Sequence, residues 1–138
     1  MNKPFEELTA LVVDDYENMR KKLSTELASL GLSVVEAANG IEAIKILRGE
    51  LAGKIDVVFT DIVMPEMDGF ELCEEVRKKP DLRGLPIVVS STHVDASYVV
   101  RALRLGADDY IVKPVKSELV KKVLTRIMTP MDVGEKDG

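Results

Sequence analysis

Six polar residues stand at the carboxyl ends of short apolar runs in this chain: Asp14, Asp15, Asp61, Ser90, Ser91 and Lys113. Acids, a hydroxyl and a cation are the parts needed to move a phosphoryl group. A carboxylate attacks phosphorus in line, positive charge stabilises the equatorial oxygens, and a hydroxyl holds the transferred group. Two carboxylates about 5 Å apart repel by roughly 3 kcal/mol at an effective dielectric of about 20, so three close together would oppose folding by about 10 kcal/mol if left bare. A hard divalent ion answers that repulsion. Mg2+ suits few carboxylates with waters and a phosphate oxygen, and Mn2+ takes the same donors. The chain has no Gly-rich phosphate loop, so a nucleotide is not the expected phosphoryl donor.

Each residue also has a plain structural reading. An Asp pair after a strand caps or solvates a turn, a strand-end Ser satisfies nearby backbone, and a Lys before Pro is exposed. The functional reading rests on their coincidence on one edge of one sheet, which requires a particular set of supporting elements.

Those elements are legible as alternating periods. Apolar runs of strand length occur at 8–13, 32–37, 55–60, 85–89 and 110–112, and most are rich in Val or Ile. They are nearly continuous, as in parallel strands covered on both faces. Between them, Met19, Leu23, Leu27 and Leu30 recur at helical spacing before Gly31. Ile41, Ile44 and Leu47 repeat the pattern before Gly49, and Phe70, Cys73 and Val76 mark a third helix before Pro80. A fourth helix follows Asp95 as N-cap, with Val99, Ala102 and Leu103 facing inward and Gly106 as its stop. The last runs from Ser117, a second N-cap candidate, through Val120, Val123, Leu124 and Ile127 to about Met128. Strict βα alternation predicts an α/β, doubly wound three-layer sandwich with five parallel strands. In such sheets, ligands bind outside the carboxyl ends of the strands.

The chain of 138 residues suits one domain, and 46% hydrophobic against 31% charged residues suits a folded protein. A net charge of −5 argues against direct binding of nucleic acid or an anionic membrane. No stretch approaches the roughly 20 apolar residues of a membrane span, and the cytoplasm is the expected location. The single cysteine, Cys73, excludes an internal disulfide and a multi-cysteine zinc site, and reads as a small buried hydrophobe.

Four ordered motifs identify a family: Leu11-Val12-Val13-Asp14-Asp15; Asp61 through Gly69 (DIVMPEMDG); Pro86-Ile87-Val88-Val89-Ser90-Ser91; and Gly106 through Pro114 (GADDYIVKP). The chain resembles the receiver domain of two-component response regulators, a flavodoxin-like family that includes chemotaxis receivers. The resemblance implies strand order 2-1-3-4-5, with an N-terminal extension over 1–7, a receiver domain over 8–128 and a flexible tail over 129–138. No effector domain is expected after the tail.

It further implies that Asp61 accepts a phosphoryl group from a sensor histidine kinase or phosphotransfer protein. Asp15, Asp61 and the backbone carbonyl of Val63 would bind Mg2+, with Asp14 acting mainly through a water. Lys113 would pair with Asp61 and then with the phosphoryl group. Ser91 rather than Ser90 aligns with the family hydroxyl from both Pro86 and Lys113, and Tyr110 takes the switch-aromatic position. Pro114 would follow a cis peptide, and Pro65 and Gly69 would shape the loop after Asp61. The implied output is a protein-binding face on helix 4, strand 5 and helix 5, serving an unknown downstream target. A monomer or a weak phosphorylation-dependent dimer is expected.

Two residues depart from the commonest pattern. Val63 is apolar where many relatives place a water-orienting side chain, and Thr92 is bulkier than the usual Ala or Gly. Both are expected to slow loss of the phosphoryl group. An Asp-nucleophile phosphatase would need a second acid at the position of Val63, and a phosphorylation-independent scaffold would not need the retained set Asp14, Asp15, Asp61, Ser91 and Lys113. His93 reads as an exposed loop residue, Met64 and Met67 as loop packing. Lys116, Lys121, Lys122 and Arg126 form a basic face on the last helix, solvated or touching a partner.

Overall fold

The computed structural model describes residues 3–128. Its strands are β1 (Thr9–Val13), β2 (Ser33–Ala37), β3 (Val57–Thr60), β4 (Ile87–Ser91) and β5 (Asp109–Val112). All pair in parallel, in the order β2-β1-β3-β4-β5. The helices are α1 (Glu17–Ser29), α2 (Gly40–Arg48), α3 (Gly69–Lys78), α4 (Ala96–Arg104) and α5 (Ser117–Met128). Single-turn 3-10 segments over Phe5–Glu7 and Pro80–Leu82 complete the described chain.

Alternation along the central strands builds two cores from one sheet. Leu11, Val13, Val58, Ile87 and Val89 belong to one, with Leu72, Val76 and Ala102 from the helices. Ala10, Val12, Val57, Phe59 and Val88 belong to the other, against Leu23, Leu27, Val120 and Leu124. The strands β1, β3 and β4 therefore read as nearly unbroken apolar runs, while edge strand β2 is only half-buried. Cys73 is fully buried, and burial pushes its thiol up to about 11.

Gly31 and Gly106 end α1 and α4 in the left-handed region, at φ +108° and +110°. Each stop carries paired return bonds: Gly31 N–H to Ala28 and Leu32 N–H to Leu27, then Gly106 N–H to Leu103 and Ala107 N–H to Ala102. A side chain would be strained at either position.

The inward faces of two helices differ from the expected ones. Leu103 is 47% exposed and Ile41 38% exposed. On α4 the stripe Tyr98, Ala102, Leu105 meets the core instead. Its spacings of four and three are as helical as those of Val99, Ala102 and Leu103, so periodicity could not choose between them. The Tyr98 ring decides, because it packs against Phe70 of α3. On α2, Ala43 and Leu47 fill the buried positions. Asp95 precedes α4 but makes no side-chain cap bond, and Ser117 lies inside the first turn of α5. Within the stretch expected to precede the domain, Phe5 packs on the α1 and α5 core and Lys3 bonds Asp56. The expected tail over 129–138 lies outside the described residues.

Candidate functional site at the carboxyl edge of the sheet

The strand order places β1, β3, β4 and β5 side by side, so their carboxyl ends share one edge. Asp14 and Asp15 leave β1, Asp61 leaves its neighbour β3, and Lys113 leaves β5. Asp14, Asp15 and Asp61 each present a carboxylate oxygen within 4.8 Å of the others, with Asp14 buried, Asp61 half-buried and Asp15 exposed. The Lys113 ammonium donates to Asp14 Oδ2 at 2.7 Å and stands 3.4 Å from Asp61 Oδ2. Lys113 therefore reaches both inner acids, more closely Asp14 than the expected Asp61. Its peptide bond to Pro114 is cis.

Backbone groups aim these carboxylates. Asp14 Oδ1 accepts from the Tyr16 N–H and Asp61 Oδ1 from the Ile62 N–H. Behind Asp14, Arg20 donates to its carbonyl and pairs with Glu36 of β2. Burial pushes the Asp61 carboxyl above the ordinary aspartate range; Lys113 and the Ile62 N–H pull it down, and Asp14 adds to the rise.

Three carboxylates face one ammonium, and among the described residues no second cationic side chain pairs with them. The donor set is all oxygen, carries excess negative charge and has one member open to solvent. Those properties fit a hard divalent cation rather than a soft transition metal.

Beyond Asp61 the chain turns tightly. The Met67 N–H donates to the Pro65 carbonyl across Glu66, which adopts φ +68°. Gly69 then brings α3 against the end of β3: a Cβ there would collide with the Asp61 carbonyl oxygen. Asp68 and Glu71 form a reciprocal capping box at the start of α3. Met64 is buried, and Met67 fills the space left by the missing side chain of Gly40. Val63 and Thr92 are both exposed.

The two serines of β4 point to opposite faces. Ser91 shares parity with Val89 and stands on the Tyr110 side, whereas Ser90 shares parity with Val88 and faces the α1 and α5 layer. Ser91 Oγ accepts from the His93 N–H at 3.1 Å. Tyr110 is half-buried, and its hydroxyl donates to the His93 carbonyl at 2.9 Å. Burial raises the Tyr110 phenol, with Ser91 opposing the rise. His93 is not the exposed residue expected: its ring stacks on Tyr98, with centroids 4.4 Å apart.

The family model for the response regulator receiver domain matches residues 10–125. The chain belongs to this receiver family. It is 42% identical over 123 residues to the probable transcriptional regulator ycf27 of Cyanidium caldarium, covering 86% of this chain and 47% of that one. It is 36% identical to the chemotaxis protein CheY homolog of Campylobacter jejuni, covering 86% and 90%. The receiver thus spans about half the length of the ycf27 relatives and most of the chemotaxis one. Among solved structures, chemotaxis protein CheY4 of Vibrio cholerae superposes with a TM-score of 0.77 at 31% identity, covering 87% of this chain and 98% of that one. A receiver domain of a signal transduction histidine kinase from Syntrophus aciditrophicus gives 0.78 at 33%, covering 88% and 89%.

Sequence reasoning missed several supports of this receiver's site. Asp68 and Glu71 carry the spacing of a capping box, and Asn39 likewise caps α2 by accepting from the Glu42 N–H. Both signals were readable. The pairing of Arg20 with Glu36 and of Arg126 with Asp109 was not, since each joins residues distant in the chain. Arg126 is therefore anchored to β5, while Lys116, Lys121 and Lys122 remain exposed.

Proposed function

We propose that this receiver accepts a phosphoryl group on Asp61 from the phosphohistidine of a sensor histidine kinase or phosphotransfer protein. The observation that carries the reading is the gathering of three carboxylates around one lysine, with Asp61 the member that is both accessible and within reach of the ammonium. Attack by an Asp61 oxygen forms the O–P bond as the P–N bond breaks, and the electron pair leaves with the imidazole. Asp14, Asp15, Asp61 and the Val63 carbonyl would hold Mg2+, or Mn2+, which supplies positive charge against the phosphoryl oxygens. Lys113 would supply a second positive charge. Its short bond to Asp14 would keep the ammonium in place when the Asp61 carboxylate becomes an acyl phosphate.

Ser91 is suited to hold the product. Its Oγ accepts from the His93 N–H and its hydroxyl also engages Tyr110, so donation to a phosphoryl oxygen would exchange the Tyr110 contact for the new one. Tyr110 stands inward with its hydroxyl on the His93 carbonyl. Phosphorylation would work by population shift, favouring one arrangement of Ser91 and Tyr110 over another. The surface it changes is α4, β5 and α5, where Val100, Leu103, Val112 and Leu119 are exposed. That surface would serve the downstream protein target, or a weak dimer. No described helix is long and apolar enough to cross a membrane, and a cytoplasmic site of action agrees with the phosphorelay reading.

Incubation with acetyl phosphate and Mg2+, followed by intact mass, tests the assignment. One added phosphoryl group on wild type and none on Asp61→Asn is expected. Sustained turnover of the donor would favour a phosphatase, and absence of any adduct would favour a scaffold; either outcome overturns the proposal.

A further inference from the structure

The loop from Ser91 to α4 is largely open to solvent. Thr92, Val94 and Asp95 are exposed; the Asp95 carbonyl accepts from the Tyr98 and Val99 N–H groups at the start of α4, while its side chain makes no capping bond. Between Ser91 and Asp95, His93 is held three ways. Its N–H donates to Ser91 Oγ, its carbonyl accepts from Tyr110, and its ring lies nearly parallel to that of Tyr98, at 14°.

The stack continues into the body of the domain. Tyr98 tilts against Phe70 at 5.7 Å between centroids, and the Arg101 guanidinium stands 4.1 Å from the centroid of the Phe70 ring. Phe70 is buried and follows Gly69, the residue pressed against the Asp61 carbonyl. An unbroken series of ring contacts thus joins the start of α3 to the loop that carries His93. The first two contacts of His93 depend on backbone atoms that any residue except proline supplies. The third depends on this chain's own pair of rings.

We infer that Tyr98 is a positioning residue for the phosphoryl site: by stacking on His93 it holds the loop where the His93 N–H orients Ser91 and the His93 carbonyl receives Tyr110. Without the stack, the exposed loop gains freedom and the two backbone bonds lose their alignment. A stacked aromatic pair shifts such an equilibrium by about three- to tenfold. The inference about the loop stands on these contacts alone, while its consequence for phosphoryl binding rests on the function proposed above.

The test uses 3-fluorotyrosine in the whole chain, which has three tyrosines. Tyr110→Phe identifies the Tyr110 fluorine resonance. Without any phosphate analogue, Tyr98→Leu is expected to move that resonance toward its solvent-exposed position, and Tyr98→Phe, which keeps the ring, is expected to leave it in place. His93→Ala removes the other half of the stack, keeps the carbonyl and should reproduce the Leu variant; the double variant should add little more. An unmoved Tyr110 resonance in both Tyr98→Leu and His93→Ala overturns the inference, as does equal movement in Tyr98→Phe. Beryllofluoride with Mg2+ then reads the consequence: affinity should weaken about three- to tenfold in Tyr98→Leu and hold in Tyr98→Phe. Equal affinity in all three proteins would overturn the positioning role. Failure of wild type to bind beryllofluoride would instead count against the phosphoacceptor reading, with the fluorine result still deciding what the stack does.

Discussion

The two edges of the sheet treat acidic residues in opposite ways. At the amino edge, Asp56 accepts from the Thr9 N–H and pairs with Lys3, and Asp108 accepts from the Ile87 N–H and pairs with Arg77. Arg77 spans α3, the turn before β4 and the end of α4, donating to the carbonyls of Arg83, Leu85 and Gly106. Gly106 has no side chain, and a Cβ there would collide with the Arg77 stem at 2.7 Å. At the carboxyl edge, three aspartates gather and a single lysine pairs with two of them, Asp14 and Asp61. Charges matched by the chain itself hold strands in place, and charges left in excess are available to something the chain does not contain. Repulsion left uncompensated in the fold becomes affinity for a cation.

Five substitutions would break or sharpen that contrast. Arg77→Ala should have the largest effect on stability, about 3 kcal/mol, because it strips several carbonyls and Asp108 of one shared donor. Urea unfolding measures the loss, and uptake of one phosphoryl group by the folded fraction should persist; a negligible loss would remove the structural role of the amino edge. Gly69→Ala should follow at about 2 kcal/mol, since a methyl group must displace the Asp61 carbonyl. Unlike Arg77→Ala, it should also slow phosphoryl uptake from acetyl phosphate, which separates the two edges in one assay.

Asp61→Asn should act in the opposite direction, stabilising the divalent-free protein at neutral pH by about 1 kcal/mol through relief of burial and repulsion. The sign with pH follows from the raised Asp61 carboxyl. The folded state takes up its proton at higher pH than the unfolded chain, so wild type recovers stability as pH falls from the raised folded value to the ordinary aspartate value. The advantage of Asp61→Asn should be full above that window and absent below it. Melts without divalent ions at stepped pH check this, and added Mg2+ should stabilise wild type more than the variant. The smallest effects belong to exposed Val63 and Thr92. Val63→Asn and Thr92→Ala should each shorten the lifetime of the phosphorylated protein while leaving unfolding midpoints unchanged, and unchanged lifetimes in both would discard the water-access argument.

Much of the fold is legible because β1, β3 and β4 are buried on both faces and so read as unbroken apolar runs. The stops at Gly31 and Gly106 are legible because only glycine takes their backbone conformation cheaply. The inward face of α4 is not, since two stripes of equal period compete and a ring from α3 selects one. The aspartates could be placed at one edge from topology, yet the closer pairing of Lys113 with Asp14 depends on distances that no spacing along the chain contains. The stacking of His93 is hidden for the same reason, since a lone histidine in a polar loop gives no sign of a ring five residues later that will face it.

By itself, the order of residues determined an alternating βα chain, a parallel sheet and a set of polar groups delivered to one edge. Those outcomes follow from local period and backbone preference, which act between near neighbours. Only the tertiary structure decided which charges are compensated, which stripe of α4 faces the core and which aromatic rings meet. Electrostatic and packing energies change over a few ångströms, and residues distant in the chain reach those separations only when the layers close on one another.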